Sequence, residues 1–266
     1  MPPASSEAML LFAECQRQNP SQSDLVLLCI TNGLSQQWAA QAANTKLWLV
    51  VLAGALVFLM QLGFAALSAG SVRRKNLSNT LLKNILDVCV AGVAFYAVGW
   101  AFAFGSDNSA SEHTFIGTAQ FFLVGNNIDY ALWFFQFALS AVSVTILAGT
   151  SEERCRMEAS ILYSVFMASF VYPVVAHSLW SKNGFLSPTS ASPLFGVGAI
   201  DFAGSGVVHM TGGICALVSS IILGARKGRF HDEKGELLQR PATIPGHSVS
   251  LQVMGCFILW FGCKFW

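Results

Sequence analysis

An all-α membrane bundle with five complete spans and a partial sixth is the fold the sequence predicts, on three observations. Of 266 residues, 54% are hydrophobic and only 11% charged, where a soluble domain carries about a quarter charged. Six stretches lack Asp, Glu, Lys and Arg altogether, each near the roughly 20 residues a helix needs to cross a bilayer. The basic residues between them alternate from link to link.

The first span runs Leu47 to Val72, the second Val88 to Ser106, the third Tyr130 to Ser151, the fourth Ala159 to Ser181 and the fifth Phe202 to Ala225. The sixth stretch, Pro241 to Cys263, opens on a Pro-Gly turn. Its apolar run from His247 to Cys263 makes only about 25 Å of helix against roughly 30 Å of hydrocarbon. Residues 1 to 44 are polar and weakly periodic, so they read as a loose external segment with one short helix near Asp24 to Gln37; residues 45 to 266 form one bundle. No basic start or long apolar core marks a cleavable signal in "MPPASSEAMLLFAECQRQ", so the first span serves as its own.

Orientation follows from charge. The links after spans 1, 3 and 5 hold Arg73, Arg74, Lys75 and Lys83, then Arg154 and Arg156, then Arg226, Lys227, Arg229, Lys234 and Arg240. The intervening segments hold far fewer, as in "SDNSASEH". The N-terminus is therefore expected outside and the basic links in the cytoplasm. The longest link, "RKGRFHDEKGELLQRPATIPGH", mixes both signs, which suits a solvated turn and not a nucleic-acid patch. Cys15 and Cys29 share the outer segment and can form a disulfide, within or between chains. Small residues recur along the spans, as lipid-embedded helices need for close packing.

The fifth span carries the polar residues that ask for an explanation. Steps of four place Asp201, Ser205, His209 and Gly212 or Gly213 on one ridge, which must face protein or water because an ionisable group facing lipid is costly. Asp201 can cap the first turn or act electrostatically on a passing cation. His209 is either a satisfied buried histidine or a neutral imidazole lining a conduction path, able to donate, accept or relay a proton. With no second ligand nearby in sequence, a metal is not expected. Trp180 either anchors span 4 at the interface or offers a π-face to a small cation. Pro173 should kink span 4, and His177 can satisfy a carbonyl so freed. Gln136, beside Phe135 in "WFFQFALSAVS", reads first as a bond between helices and second as a pore group.

These residues resemble those of the Amt/Mep/Rh ammonium transporter family, in its plant and algal type. The likeness rests on "MQLGFAALSAGSVRRKN", "GTSEERCRM", "FVYPVVAHSLW", "GAIDFAGSGVVHMTGG" and "GHSVSLQVMGCFILWFG", and covers residues 45 to 262. It implies the first half of an eleven-helix fold built from two inverted halves, and a homotrimer in the full-length form with one pore per subunit in the plasma membrane. Ammonium or ammonia and the lipid bilayer are the implied partners, with no nucleic acid, no cofactor and no enzymatic activity. The resemblance assigns Trp180 to external recruitment of ammonium, Asp201 to bracing the vestibule and His209 to the first of two pore histidines. Leu139, three residues after Gln136, falls where the family usually places one of its two gating phenylalanines, and Phe135 falls to the pore lining. Leu139 departs from the usual phenylalanine, which removes cation–π attraction from the recruitment site while leaving apolar occlusion.

The end also departs from the family, reading "CKFW" where a longer run is usual. A truncated form unable to conduct alone is expected, with a non-conducting regulatory subunit or an ammonium sensor as alternatives. Cys263, Lys264 and Phe265 can be encoded by TGT AAG TTT, which contains an intron-start sequence, so a retained intron is the expected cause; sequencing the transcript across this point tests it. Two copies would insert in the same orientation and could not supply the inverted half.

Overall fold

The computed structural model describes residues 4–18, 23–105, 113–126, 128–232 and 234–264. Most of the link "SDNSASEH" and the last two residues of the tail lie outside these. The described residues contain helices α1 (Ala4–Gln18), α2 (Ser23–Ser71), α3 (Arg74–Phe104), α4 (Tyr130–Ser151), α5 (Met157–Trp180), α6 (Ser205–Leu223) and α7 (Val249–Cys263). Five of them, α2 to α6, are long and apolar enough to cross a membrane; α7, at 15 residues, is shorter. The chain divides into two compact units, Met1–Val50 and Val51–Trp266.

In the first unit the expected loose segment is helical. Cys15 and Cys29 pair within the chain, with Cα atoms 5.8 Å apart, and Leu11 packs so closely on Gly33 that an added Cβ would meet its Cδ1 at 2.7 Å. This covalent and packing closure ties the short helix α1 to the first turns of the 49-residue α2 and gives α1 the tertiary support that an isolated helix lacks. Hydrophobic pattern alone did not show it, because Met9, Leu10 and Leu27 remain exposed.

In the second unit, local chemistry sets the helix ends. Asp129 Oδ1 accepts the Leu132 amide at 2.9 Å at the start of α4, and Ser248 Oγ accepts the Leu251 amide at 3.3 Å at the start of α7. Both satisfy amides that a helix N-terminus otherwise leaves unpartnered. In α5 the expected proline kink appears as a π-helical stretch, Met167–Val171, immediately before Tyr172 and Pro173. The wider turn accommodates the missing proline N–H. A second π-helical stretch, Phe95–Gly99, interrupts α3 and packs on the first. At Gly255, α7 approaches α2 so closely that a Cβ would lie 2.5 Å from the Leu67 amide nitrogen; only a small residue permits this contact.

The core gathers residues from α2 to α6, including Met60, Phe95, Trp100, Val142, Tyr172 and Val207. A separate polar cluster lies toward the basic end of the bundle. Lys83, assigned by charge to a link, is buried within α3 and donates to Ser151 Oγ at 2.8 Å. Its Nζ lies 3.6 Å from Glu152 Oε1, while Thr80 Oγ1 donates to Glu152 Oε2 at 2.9 Å. Burial pushes the Glu152 carboxyl above the ordinary carboxylate range despite Lys83.

Glu153 joins three links at one carboxylate. Its Oε1 accepts the Arg73 amide and Arg73 Nε, each at 3.1 Å, and Asn76 Nδ2 at 2.6 Å. Its Oε2 lies 3.2 Å from Arg226 Nη1. The residue holds a left-handed φ of 60°, a conformation retained only where surrounding contacts favour it. Burial opposes ionisation of Glu153, but Asn76 and Arg73 outweigh it and hold the carboxyl below its ordinary 4.5. A depressed folded pKa contributes stability that is present above the unfolded value and lost as pH falls through the folded one. Glu153→Gln should therefore cost about 1–3 kcal/mol near neutral pH, with the difference from the parent chain shrinking below about pH 4.5. Thermal unfolding in nanodiscs across pH measures this; a pH-independent difference would contradict the clasp.

Candidate functional site

The segment before α6 is where most of the singled-out residues meet. Asp201 precedes the helix in irregular backbone, and Gly204 turns the chain at φ 67°, a region glycine enters without steric cost. The carboxylate then reaches forward: Oδ2 accepts the Gly206 and Val207 amides at 3.0 and 2.8 Å, and Oδ1 accepts Ser205 Oγ at 3.2 Å. Asp201 thus caps α6, with its negative charge at the positive helix end.

The regular four-residue ridge does not form. Ser205–Met210 is π-helical, and Thr211 returns both its amide and its hydroxyl to the Gly206 carbonyl, five residues back. The wider turn divides the helix into two faces. Val207, Val208, Thr211, Gly212 and Ala216 are buried, with Gly212 against the Ser143 carbonyl of α4, whereas His209, Gly213 and Leu217 are exposed. The His209 ring makes no hydrogen bond among the described residues, so it is not held as a satisfied core histidine would be. Phe202, 91% exposed, lies at the start of the same open segment.

Trp180 closes α5 against this segment. Its indole Nε1 donates to the Asp201 carbonyl at 2.8 Å, which fixes the ring beside the capped helix start. Phe135 and Trp180 pack against one hydrophobic cluster that contains Leu139, Val207 and Val208. Leu139 is fully buried in that cluster. Gln136 accepts the Tyr172 hydroxyl at 2.9 Å, the bond between helices expected of a buried amide.

The structure therefore brings Trp180, Asp201, Phe135, Leu139 and Gln136 together around the first turns of α4, the end of α5 and the start of α6. His209 stands just beyond them on the uncovered face. His177 is separate: Nδ1 bonds with the Ala103 carbonyl at 2.9 Å and Nε2 with Thr114 Oγ1 at 2.8 Å, so it fastens α5 to α3 and the following link. Tyr172 escaped the sequence reading, although a tyrosine immediately before Pro173 in an apolar run was the available signal. Among the described residues no three His, Cys, Asp or Glu side chains group as metal ligands.

The Asp201 cap makes a graded prediction. Asp201→Ala orphans two amides and should cost about 1–2 kcal/mol, while Asp201→Asn, which keeps an acceptor, should cost less. Unfolding of both variants in nanodiscs checks the order; equal losses would contradict a capping role.

Comparison with known proteins places this geometry. Residues 47–265 match the family model described as the Ammonium Transporter Family. The chain is 44% identical over 233 residues to ammonium transporter 1 member 3 of Solanum lycopersicum, covering 86% of this chain and 48% of that protein. It is 41% identical over 217 residues to the ammonium transporter Amt2 of Archaeoglobus fulgidus, covering 80% and 44%. Among solved structures, a protein titled Sensor Amt Protein superposes with a TM-score of 0.68 at 33% identity, covering 82% of this chain and 53% of that one. Mep2 of Saccharomyces cerevisiae superposes at 0.65 with 26% identity, covering 82% and 47%. The chain spans about half the length of the curated relatives it matches. On the match over residues 47–265 and these identities, the chain belongs to the Ammonium Transporter Family.

Proposed function

We propose that this chain supplies one half of an ammonium-conducting pore in the plasma membrane, with its N-terminus outside and its basic links in the cytoplasm. The observation that carries the reading is the open face of α6. His209 stands exposed there without a hydrogen-bond partner among the described residues, directly past a helix start fixed by Asp201 and Trp180. An imidazole so placed faces protein or water in the assembled protein, because facing lipid would be costly.

In this reading ammonium meets the Trp180 and Phe135 rings at the outer end, where cation–π attraction favours a small cation. Leu139 packs behind them and supplies no π-face. The ion gives up its water on entering the apolar passage, and His209 accepts or relays a proton as nitrogen passes. Discrimination rests on hydrogen-bond geometry in a narrow lumen. The homotrimer implied by the family, each subunit with its own pore, belongs to the same reading; the mass of the assembled complex in nanodiscs tests it.

A second reading, an ammonium sensor that binds without conducting, draws on the solved relative titled Sensor Amt Protein. A third, a regulatory subunit joining full-length transporters, predicts co-purification with them. Joining this chain to the second half of the tomato relative and expressing it in yeast without ammonium transporters separates the readings. Growth on low ammonium is expected. Correct membrane insertion with ammonium binding but no growth would contradict the conducting reading.

A further inference from the structure

Past the ends of α4 and α6, three arginines converge on a cavity of about 430 Å³. Arg154 comes from the turn after α4, and Arg226 and Arg229 from the turn after α6; Phe230 and Ile244 supply apolar walls. All three arginines are half-buried. Backbone carbonyls hold two of them in place: Arg154 Nη1 donates to the Gly224 carbonyl at 3.1 Å and Arg229 Nη1 to the Ala242 carbonyl.

Their charge is poorly matched. Neither Arg154 nor Arg229 has an ion-pair partner among the described residues, and Arg154 Nε is buried without a hydrogen-bond partner. Arg226 lies 3.2 Å from Glu153 Oε2, but that oxygen makes no aligned hydrogen bond. The other Glu153 oxygen is already occupied by Arg73 and Asn76. Arg73 and Arg226 thus share the Glu153 carboxylate, while Arg154 and Arg229 ion-pair with no carboxylate among the described residues. Half-buried like charges lining one cavity repel one another, and an anion bound there offsets that repulsion.

We infer that this cavity binds a phosphate monoester dianion. Guanidinium forks match phosphate oxygens in paired hydrogen bonds, and a phosphate has enough oxygens for three forks where a carboxylate has two. The cavity also sits at a suitable depth. Arg154 is three residues beyond Ser151, the end of α4, and Arg226 three beyond Leu223, the end of α6, so the arginines lie at the edge of the apolar layer. Basic pockets between spans at that level accommodate phosphorylated lipid headgroups. Phe230 and Ile244 give the adjoining glycerol or acyl chain an apolar wall. Free phosphate offers the same oxygens without the apolar part.

The full chain in phosphatidylcholine nanodiscs tests this with three probes: inorganic phosphate, phosphatidylinositol monophosphate added to the bilayer, and phosphatidylserine as a carboxylate-bearing control. Saturable binding of inorganic phosphate, of the phosphorylated lipid or of both is expected, and the lipid arm alone identifies a headgroup as the source. The double variant R154Q/R229Q should weaken binding about tenfold or more. Lys227→Gln, at an exposed neighbour outside the cavity, should change it less than about threefold. Arginine modification by phenylglyoxal provides a readout without substitution: the bound phosphate should protect Arg154 and Arg229 more than Arg74. Binding to neither inorganic phosphate nor the phosphorylated lipid, equal binding to phosphatidylserine, or no selective protection would overturn the assignment.

Discussion

Asp87→Ala is expected to remove about 3–5 kcal/mol of stability, the largest loss from any single polar substitution in the bundle. Asp87 is fully buried in α3. One oxygen accepts Ser160 Oγ at 2.7 Å and Ser164 Oγ at 2.8 Å, and the other accepts the Tyr163 hydroxyl at 3.3 Å. All three donors come from α5, so the carboxylate fastens one span to another. Lys83, one helical turn earlier, shares the same polar cluster through Ser151 and Glu152. Alanine would remove the charged acceptor that three hydroxyls share, leaving them only the bonds among Ser151, Ser160, Tyr163 and Ser164, in surroundings where water does not replace lost partners. Asp87→Asn keeps a carbonyl acceptor and should lose less. Thermal unfolding of both variants in nanodiscs measures the effect; a loss below about 1 kcal/mol for alanine, within the range of unremarkable substitutions, would contradict the network.

His209→Ala, in the chain joined to a complementary second half, is expected to reduce ammonium flux by about a hundredfold or more, the low end of what a positioned proton-transfer group contributes. The structural loss should be small, because the ring makes no hydrogen bond among the described residues. This separation gives the prediction its force. Asp201→Ala should lower stability through the lost cap, whereas His209→Ala should leave unfolding unchanged and alter flux alone. Unaltered flux, or a drop matched by unfolding, would remove His209 from the conduction path.

The spans were legible where charges bound an apolar run. Tyr130–Ser151 coincides with its predicted limits, because Asp129 caps one end and Glu152 and Glu153 follow the other. The same rule concealed the start of α3: counting Lys83 in a link and opening the span at Val88 hid two buried groups, Lys83 paired with Glu152 and Asp87 held by three hydroxyls. A charge census sees residue type, and compensation depends on which helices pack together. The capping role of Asp201 and the bond of Gln136 to a neighbouring helix were legible as readings of polar groups that need partners. The four-residue ridge was not, since the π-helical turn at Ser205–Met210 changes the step and nothing in local propensity announces it. The arginine cavity was equally hidden, because its members come from two links that read separately as solvated turns.

The central claim is that the open face of α6 lines an ammonium path only when a complementary half covers it. Ammonium uptake into proteoliposomes tests it directly, comparing residues 1–266 alone with the same chain co-reconstituted with the second half of a family member. The account predicts no selective uptake by the chain alone and saturable uptake by the pair, abolished by His209→Ala. Saturable, ammonium-selective uptake by the chain alone would contradict it.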